Sequence, residues 1–147
     1  MKLTYEDTQI IRDFEGFSTT AYLCSANRYT ISYGITGAEI TEGTCWDTEK
    51  CELEFMILIE KYCEKLDRCL PSNITKNRYI ACLSLAWNIG LPAFQASTLL
   101  KHLKLGDWGS AAEEFLRWDK ITLNGKKIMN RGLHERRKKE QALFLKG

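Results

Sequence analysis

Glu15, Cys24 and Thr30 place a carboxyl, a thiol and a hydroxyl within residues 15–30. A positioned carboxyl can give a proton to a leaving group, and a thiol and a hydroxyl can together hold a water molecule. Glu15 is followed by Gly16, a residue suited to ending a helix, so the carboxyl is expected on the last helical residue. There the negative end of the helix, with any apolar cover, disfavours the ionised form. That suits a general acid. No Asp or Glu occurs between Gly16 and Ala38, so whatever assists the acid from this stretch is polar and not a carboxylate.

The elements that must hold these groups follow from periodicity. Thr4 can cap a first turn, with Asp7 three residues on, and Ile10, Ile11, Phe14 and Phe17 recur at helical spacing. Past Gly16 the period changes to two: Tyr29, Ile31, Tyr33 and Ile35 alternate with Thr30, Ser32, Gly34 and Thr36. Ser25-Ala26-Asn27-Arg28 has turn composition, Asn27 tolerating positive φ, which sets Cys24 and Thr30 near each other on opposing strands. A shallow site should open between this hairpin and the helix end. After a polar connection, Thr44 or Asp47 can cap a helix running towards Arg68, with Leu53, Met56, Ile57, Ile59 and Leu66 on its buried side. Pro71-Ser72-Asn73 breaks it. Tyr79–Ile89 is apolar nearly all round, the mark of an enclosed helix, and Gly90 and Pro92 end it. Two helices, Ser97 to Leu105 and Asp107 to Asp119, precede an Asn124-Gly125 turn. A last helix from about Leu133 carries Leu143, Phe144 and Leu145 inward and shows Arg136, Arg137, Lys138 and Lys139 outward.

Glutamate, eight residues, cysteine, five residues, threonine resembles the catalytic spacing of the phage-type lysozymes, the endolysins of glycoside hydrolase family 24, where aspartate or cysteine fills the middle position. The neighbours make the resemblance specific. Ala21-Tyr22 and Thr30-Ile31-Ser32-Tyr33-Gly34 are similar to the family's strands, Ala86-Trp87-Asn88-Ile89-Gly90 with Phe94 and Ser97-Thr98-Leu99-Leu100 to its central helix and following loop, and Gly132-Leu133-His134-Glu135-Arg136-Arg137 to its closing motif. It covers nearly the whole chain. The sequence departs from the family at Ser32, usually glycine, and at Ile35, often histidine.

The resemblance implies an α+β lysozyme-like fold: a β lobe over about residues 16–48, a connecting helix over about 49–69, and a helical lobe over about 70–147 joined by residues 4–15. It implies a muramidase that cleaves the β-1,4 bond between N-acetylmuramic acid and N-acetylglucosamine in peptidoglycan, for lysis of a bacterial host. Glu15 would be the acid, Cys24 and Thr30 would hold the attacking water, and Ser84, Asn88, Ser97 and Arg136 would bind substrate, Arg136 also lying close to the acid. Two other readings stay open: a lytic transglycosylase on the same polymer, and a peptidoglycan-binding module without activity.

Composition narrows the partners. The 147 residues are 44% apolar with a net charge of +2, which fits one lysozyme-like domain and gives no argument for nucleic acid. Six cysteines, at 24, 45, 51, 63, 69 and 82, show no Cys-x-x-Cys spacing, and only two histidines accompany them. No metal or cofactor is therefore expected. The cysteines read mainly as free, partly buried thiols; Cys51, Cys63 and Cys69 stand too far apart along one helix to bridge, and Cys45–Cys51 stays possible across the turn. Residues 1–15 lack the basic-then-apolar pattern of a secretory signal, so the expectation is a monomer made in the host cytoplasm that reaches periplasmic peptidoglycan once the membrane is permeabilised. The basic run from Lys126 to Lys139 is expected to be a solvated face, able to draw the protein to an acidic polymer or to an anionic outer-membrane or lipid surface.

Overall fold

Thr4 and Asp7 close the reciprocal cap that their spacing suggests: the Asp7 amide donates to Thr4 Oγ1 (3.3 Å) and the Thr4 amide to Asp7 Oδ2 (2.8 Å). This starts a 3-10 turn, Glu6–Thr8, that runs into α1 (Gln9–Glu15). The computed structural model describes every residue, Met1–Gly147, and the chain divides into one unit of Lys2–Lys61 and another of Tyr62–Gly147 with Met1. The first helix falls in the same unit as the first hairpin.

In the N-terminal unit, β1 (Ser18–Leu23) and β2 (Tyr29–Ser32) pair antiparallel, with Tyr22 opposite Thr30 and Leu23 opposite Tyr29. Asn27 takes the positive φ, 59°, expected of the turn. The second strand is shorter than its period-two pattern. Ser32 (φ 58°) and Gly34 (φ 84°) reverse the chain, and Ile31 and Ile35 then pair with each other, amide to carbonyl, at 2.9 and 2.8 Å. Both isoleucines are buried, so the alternation was a true signal of burial but not of a continuous strand. The left-handed conformation at Ser32 explains why glycine suits that position, since a side chain there costs about 1–2 kcal/mol. Ser32 offsets part of this by donating from Oγ to the Cys51 carbonyl (2.9 Å).

Asp47 Oδ1 caps α2 (Thr48–Asp67) by accepting from the Lys50 amide at 2.7 Å. The buried stripe of α2 is Cys51, Phe55, Ile59, Cys63 and Leu66, whereas Leu53 is 60% exposed and Ile57 38%. The expected apolar face was displaced because two cysteines occupy inward positions as small hydrophobes.

In the C-terminal unit, Thr75 caps α3 (Lys76–Ile89), whose residues Tyr79–Ala86 are all buried. It is the enclosed helix expected from its composition. α4 (Leu91–Gln95), α5 (Thr98–Lys104) and α6 (Trp108–Glu114) follow, and a 3-10 turn, Phe115–Arg117, ends the segment before Asp119. Asn124 and Gly125, at φ 50° and 76°, then turn a second antiparallel hairpin, β3 (Lys120–Leu123) and β4 (Lys126–Met129), where only the turn was anticipated. Asn130 caps α7 (Arg131–Leu145), which packs against α3. No helix is long and apolar enough to cross a membrane.

Two expectations for α7 are overturned. Leu145 is exposed, while Arg136 and Arg137 are buried. Glu140, itself fully buried, explains the arginines: its carboxylate accepts from Arg136 Nε (3.3 Å), Arg137 Nη1 and Ser84 Oγ. Arg136 Nη2 also donates to the Ser84 carbonyl (3.1 Å), and Arg137 to the Trp118 carbonyl (2.8 Å) and Asn88 Oδ1. A basic run reads as a solvated face until one acid at i+3 and i+4 draws two members inside. Replacing Glu140 by Gln should leave two buried guanidiniums without a counter-charge and cost about 3–5 kcal/mol, measured as a lowered urea midpoint with an unchanged slope. A loss below about 1 kcal/mol would mean the carboxylate does not hold α3 and α7 together.

Candidate active site

Glu15 is the last residue of α1, and Gly16, at φ 70°, ends the helix with its amide on the Arg12 carbonyl (3.2 Å). The half-buried carboxyl lies against the tight turn after β2. A Cβ on Gly34 would come within 3.0 Å of Glu15 Oε2. A side chain at this turn would press on the carboxylate, and the φ of 84° is one that glycine adopts freely. Residue spacing did not single out Gly34 as part of the site; the Tyr-Gly pair closing the strand pattern was its only trace.

Aromatic and hydroxyl contacts hold helix and turn together. Tyr5 and Tyr33 share a hydrogen bond between their hydroxyls at 2.6 Å, and Arg12 lies 3.8 Å over the Tyr5 ring. Burial first, then the Tyr33 hydroxyl, push the Tyr5 phenol well above its ordinary pKa, so it is a neutral partner at any physiological pH. Tyr33 also stacks at 4.9 Å between centroids on Phe17 and on Phe55.

The hairpin brings Cys24 and Thr30 together. The Cys24 amide donates to the Arg28 carbonyl (2.9 Å) across the turn, and Thr30 Oγ1 lies 3.3 Å from the same carbonyl. The Thr30 hydroxyl is the main cause that holds the Cys24 thiol below its ordinary pKa, with the turn backbone at Arg28 and Ala26 adding to it. Cys51, Cys69 and Cys82 go the other way, pushed up by burial. Cys24 is thus the thiol most set towards its anion among those that shift.

The candidate substrate-binding residues separate. Ser84 is fully buried with its hydroxyl on Glu140. Ser97, also buried, caps α5 by accepting from the Leu100 amide (3.1 Å) while donating to the Phe94 carbonyl (2.6 Å). Both hydroxyls donate internally, and both side chains, expected to contact sugar, are buried. Arg136 is held by Glu140 and the Ser84 carbonyl. Asn88 is exposed and lines a pocket of about 510 Å³ within the C-terminal unit, with Thr98, Arg117, Trp118, Lys120 and Lys127. No cluster of three or more His, Cys, Asp or Glu residues is placed to hold a metal.

The phage lysozyme family model matches residues 12–140, which include all three candidate catalytic residues. The chain belongs to the phage lysozyme family. As a member it is a peptidoglycan-degrading glycoside hydrolase of host lysis. The chain is 37% identical over 144 residues to the endolysin of Acyrthosiphon pisum secondary endosymbiont phage 1, covering 98% of each chain. Among solved structures it is similar to an endolysin from Escherichia coli O157:H7 phage FAHEc1, at TM-score 0.90 and 31% identity over 99% of this chain and 94% of that one. It is also similar to the muramidase domain of SpmX from Asticaccaulis excentricus, at TM-score 0.89 and 27% identity over 98% and 97%.

Two measurements check the geometry of this phage lysozyme. Gly34→Ala meets both the positive φ and the Glu15 carboxylate, so it should destabilise the fold by about 1–2 kcal/mol and lower lysis well beyond that loss, read as activity of the folded fraction. Activity in proportion to folded protein would show that the carboxylate does not rest on the turn. Alkylation proceeds through the thiolate and its rate follows the fraction ionised, so the alkylation midpoint of Cys24 should lie below that of an ordinary thiol and move upward in Thr30→Val. Peptide mass spectrometry in a Cys45→Ser background follows that one site, and an unmoved midpoint would remove Thr30 as the cause.

Proposed function

We propose that the enzyme hydrolyses the β-1,4 bond between N-acetylmuramic acid and N-acetylglucosamine by a single displacement. Glu15 protonates the glycosidic oxygen as the bond to the muramic carbon breaks. Water attacks that carbon from the opposite face, held by Thr30 and Cys24, and its proton passes to the thiolate. Solvent then returns the proton to Glu15. What supports this reading is the pairing of a half-buried acid at a helix end with a Cys24 thiol whose acidity Thr30 raises. An ordinary thiol of pKa about 8.5 would be a poor base at neutral pH, and the hydrogen bond lessens that handicap.

Asn88 and the pocket beside it contact the wall polymer in this reading, and Arg136, fixed by Glu140, supplies positive charge to the bound substrate. The exposed Lys138 and Lys139 draw the monomeric enzyme to the acidic wall. It is made in the host cytoplasm and reaches periplasmic peptidoglycan when the inner membrane is opened.

A lytic transglycosylase would close the sugar on its own hydroxyl and have no use for a held water, so Cys24 and Thr30 favour hydrolysis. Purified sacculi digested with the wild type should release muropeptides with reducing ends, and 1,6-anhydro ends in mass spectra would replace this mechanism. Glu15→Gln should fold normally and lose at least about 100-fold in rate, because an amide cannot donate the proton. Cys24→Ala should lose about 100-fold, while Cys24→Asp stays active and, with a base of lower pKa, keeps its activity further into acid. A fully active Cys24→Ala of wild-type stability would remove the thiol from the chemistry.

A further inference from the structure

The β3–β4 hairpin has two unlike faces. The register sets Ile121 opposite Ile128, Leu123 opposite Lys126, and Thr122 opposite Lys127. Lys120, Thr122 and Lys127 line the pocket. Because side chains alternate across a strand, Ile121, Leu123, Ile128 and Lys126 point to the other side. They are open there: Ile121 is 40% exposed, Leu123 53% and Ile128 45%, and every residue of both strands is exposed. A two-stranded ribbon gains little stability on its own, and showing its apolar face to water adds nothing to folding. Such a patch marks a binding surface.

Charge selects the partner. From Lys120 to His134 there is no carboxylate; Lys126 is the cation on the apolar face itself, Lys127 and Arg131 are cationic beside it, and Lys120 is paired with Asp119 (2.8 Å). Lysines on both strands oppose edge-to-edge pairing with a second copy of the chain. A hydrated polymer such as the wall answers the lysines but gives the three apolar side chains no medium to enter. A bilayer with anionic headgroups answers both. We propose that the face of Ile121, Leu123 and Ile128 docks in the interfacial region of an anionic membrane, with Lys126 at the tip on the headgroups. The docking surface belongs to the C-terminal unit, whereas Glu15, Cys24 and Thr30 belong to the N-terminal one, so it stands or falls independently of the mechanism given to them.

Sedimentation of the full chain with phosphatidylglycerol and with phosphatidylcholine vesicles tests this. The partition constant should be at least tenfold higher on phosphatidylglycerol, fall with salt, and drop about tenfold in the Leu123→Ser/Ile128→Ser double variant. All three positions altered in the test are exposed, so Tm should hold. Lys126→Glu, at the solvent-facing tip, gives a second reading and should lose at least threefold on phosphatidylglycerol with no change on phosphatidylcholine. Equal partition to both lipids, or variants that bind phosphatidylglycerol as the wild type does, would overturn the proposal. So would concentration-dependent self-association, or retention on sacculi without vesicle binding, where the same variants abolish it.

Discussion

A helix of seven residues does not hold its shape in water by itself, and Glu15 stands on the last residue of such a helix. The acid is placed by what α1 packs on. Tyr5, Arg12 and Tyr33 join the helix to the turn after β2, the Phe17–Tyr33–Phe55 stack joins that turn to α2, and Gly34 leaves the space in which the carboxyl rests. The constraint is severe at one point only. Around the stack many apolar residues would serve, but at Gly34 a side chain would meet both a positive φ and the Glu15 carboxylate 3.0 Å away.

The C-terminal unit meets a related problem with charge. Burying a guanidinium is costly unless it is paired and fully hydrogen-bonded, and α7 buries two. Glu140 takes both, Ser84 and Asn88 complete the donors and acceptors, and the result spans α3, α7 and the Trp118 carbonyl. Such a cluster contributes less to net stability than an apolar core of equal volume. It does fix the directions of its members. Asn88 reaches the pocket wall with its carbonyl already tied to Arg137, so what it offers a ligand is its amide.

Local signals carried much of the fold because they are local in cause. The Thr4–Asp7 cap, Asn27 in its turn, Asp47 before α2 and the enclosed Tyr79–Ala86 run each follow from residues within a few positions of one another. The misreadings share a different cause, a partner distant in sequence or hidden by residue type. Ile31 and Ile35 looked like one strand because burial, which sets the alternation, is the same for a strand and for a reversal that pairs its own ends. On α2 the spacing of Leu53 and Ile57 drew the expected face away from Cys51 and Cys63, which are the inward positions. In the site, Glu15, Cys24 and Thr30 stood out through spacing and resemblance, whereas the use of Ser84 and Ser97 as internal hydrogen-bond partners required the packing of other helices to be known.

The six cysteines show how one residue type takes different tasks from its surroundings. Cys51, Cys63 and Cys82 are buried, and for Cys51 and Cys82 burial raises the cost of the anion, which keeps a thiol inert and hydrophobic. Cys24 sits at the end of a strand, partly open to water, next to a hydroxyl and turn amides that favour the anion. An aspartate at that position would be ionised without help; for a cysteine, Thr30 beside it shifts the balance towards the anion. The Thr30 hydroxyl tunes the thiol across the turn, so the two polar positions of the hairpin are coupled, and neither can be judged from its own side chain alone.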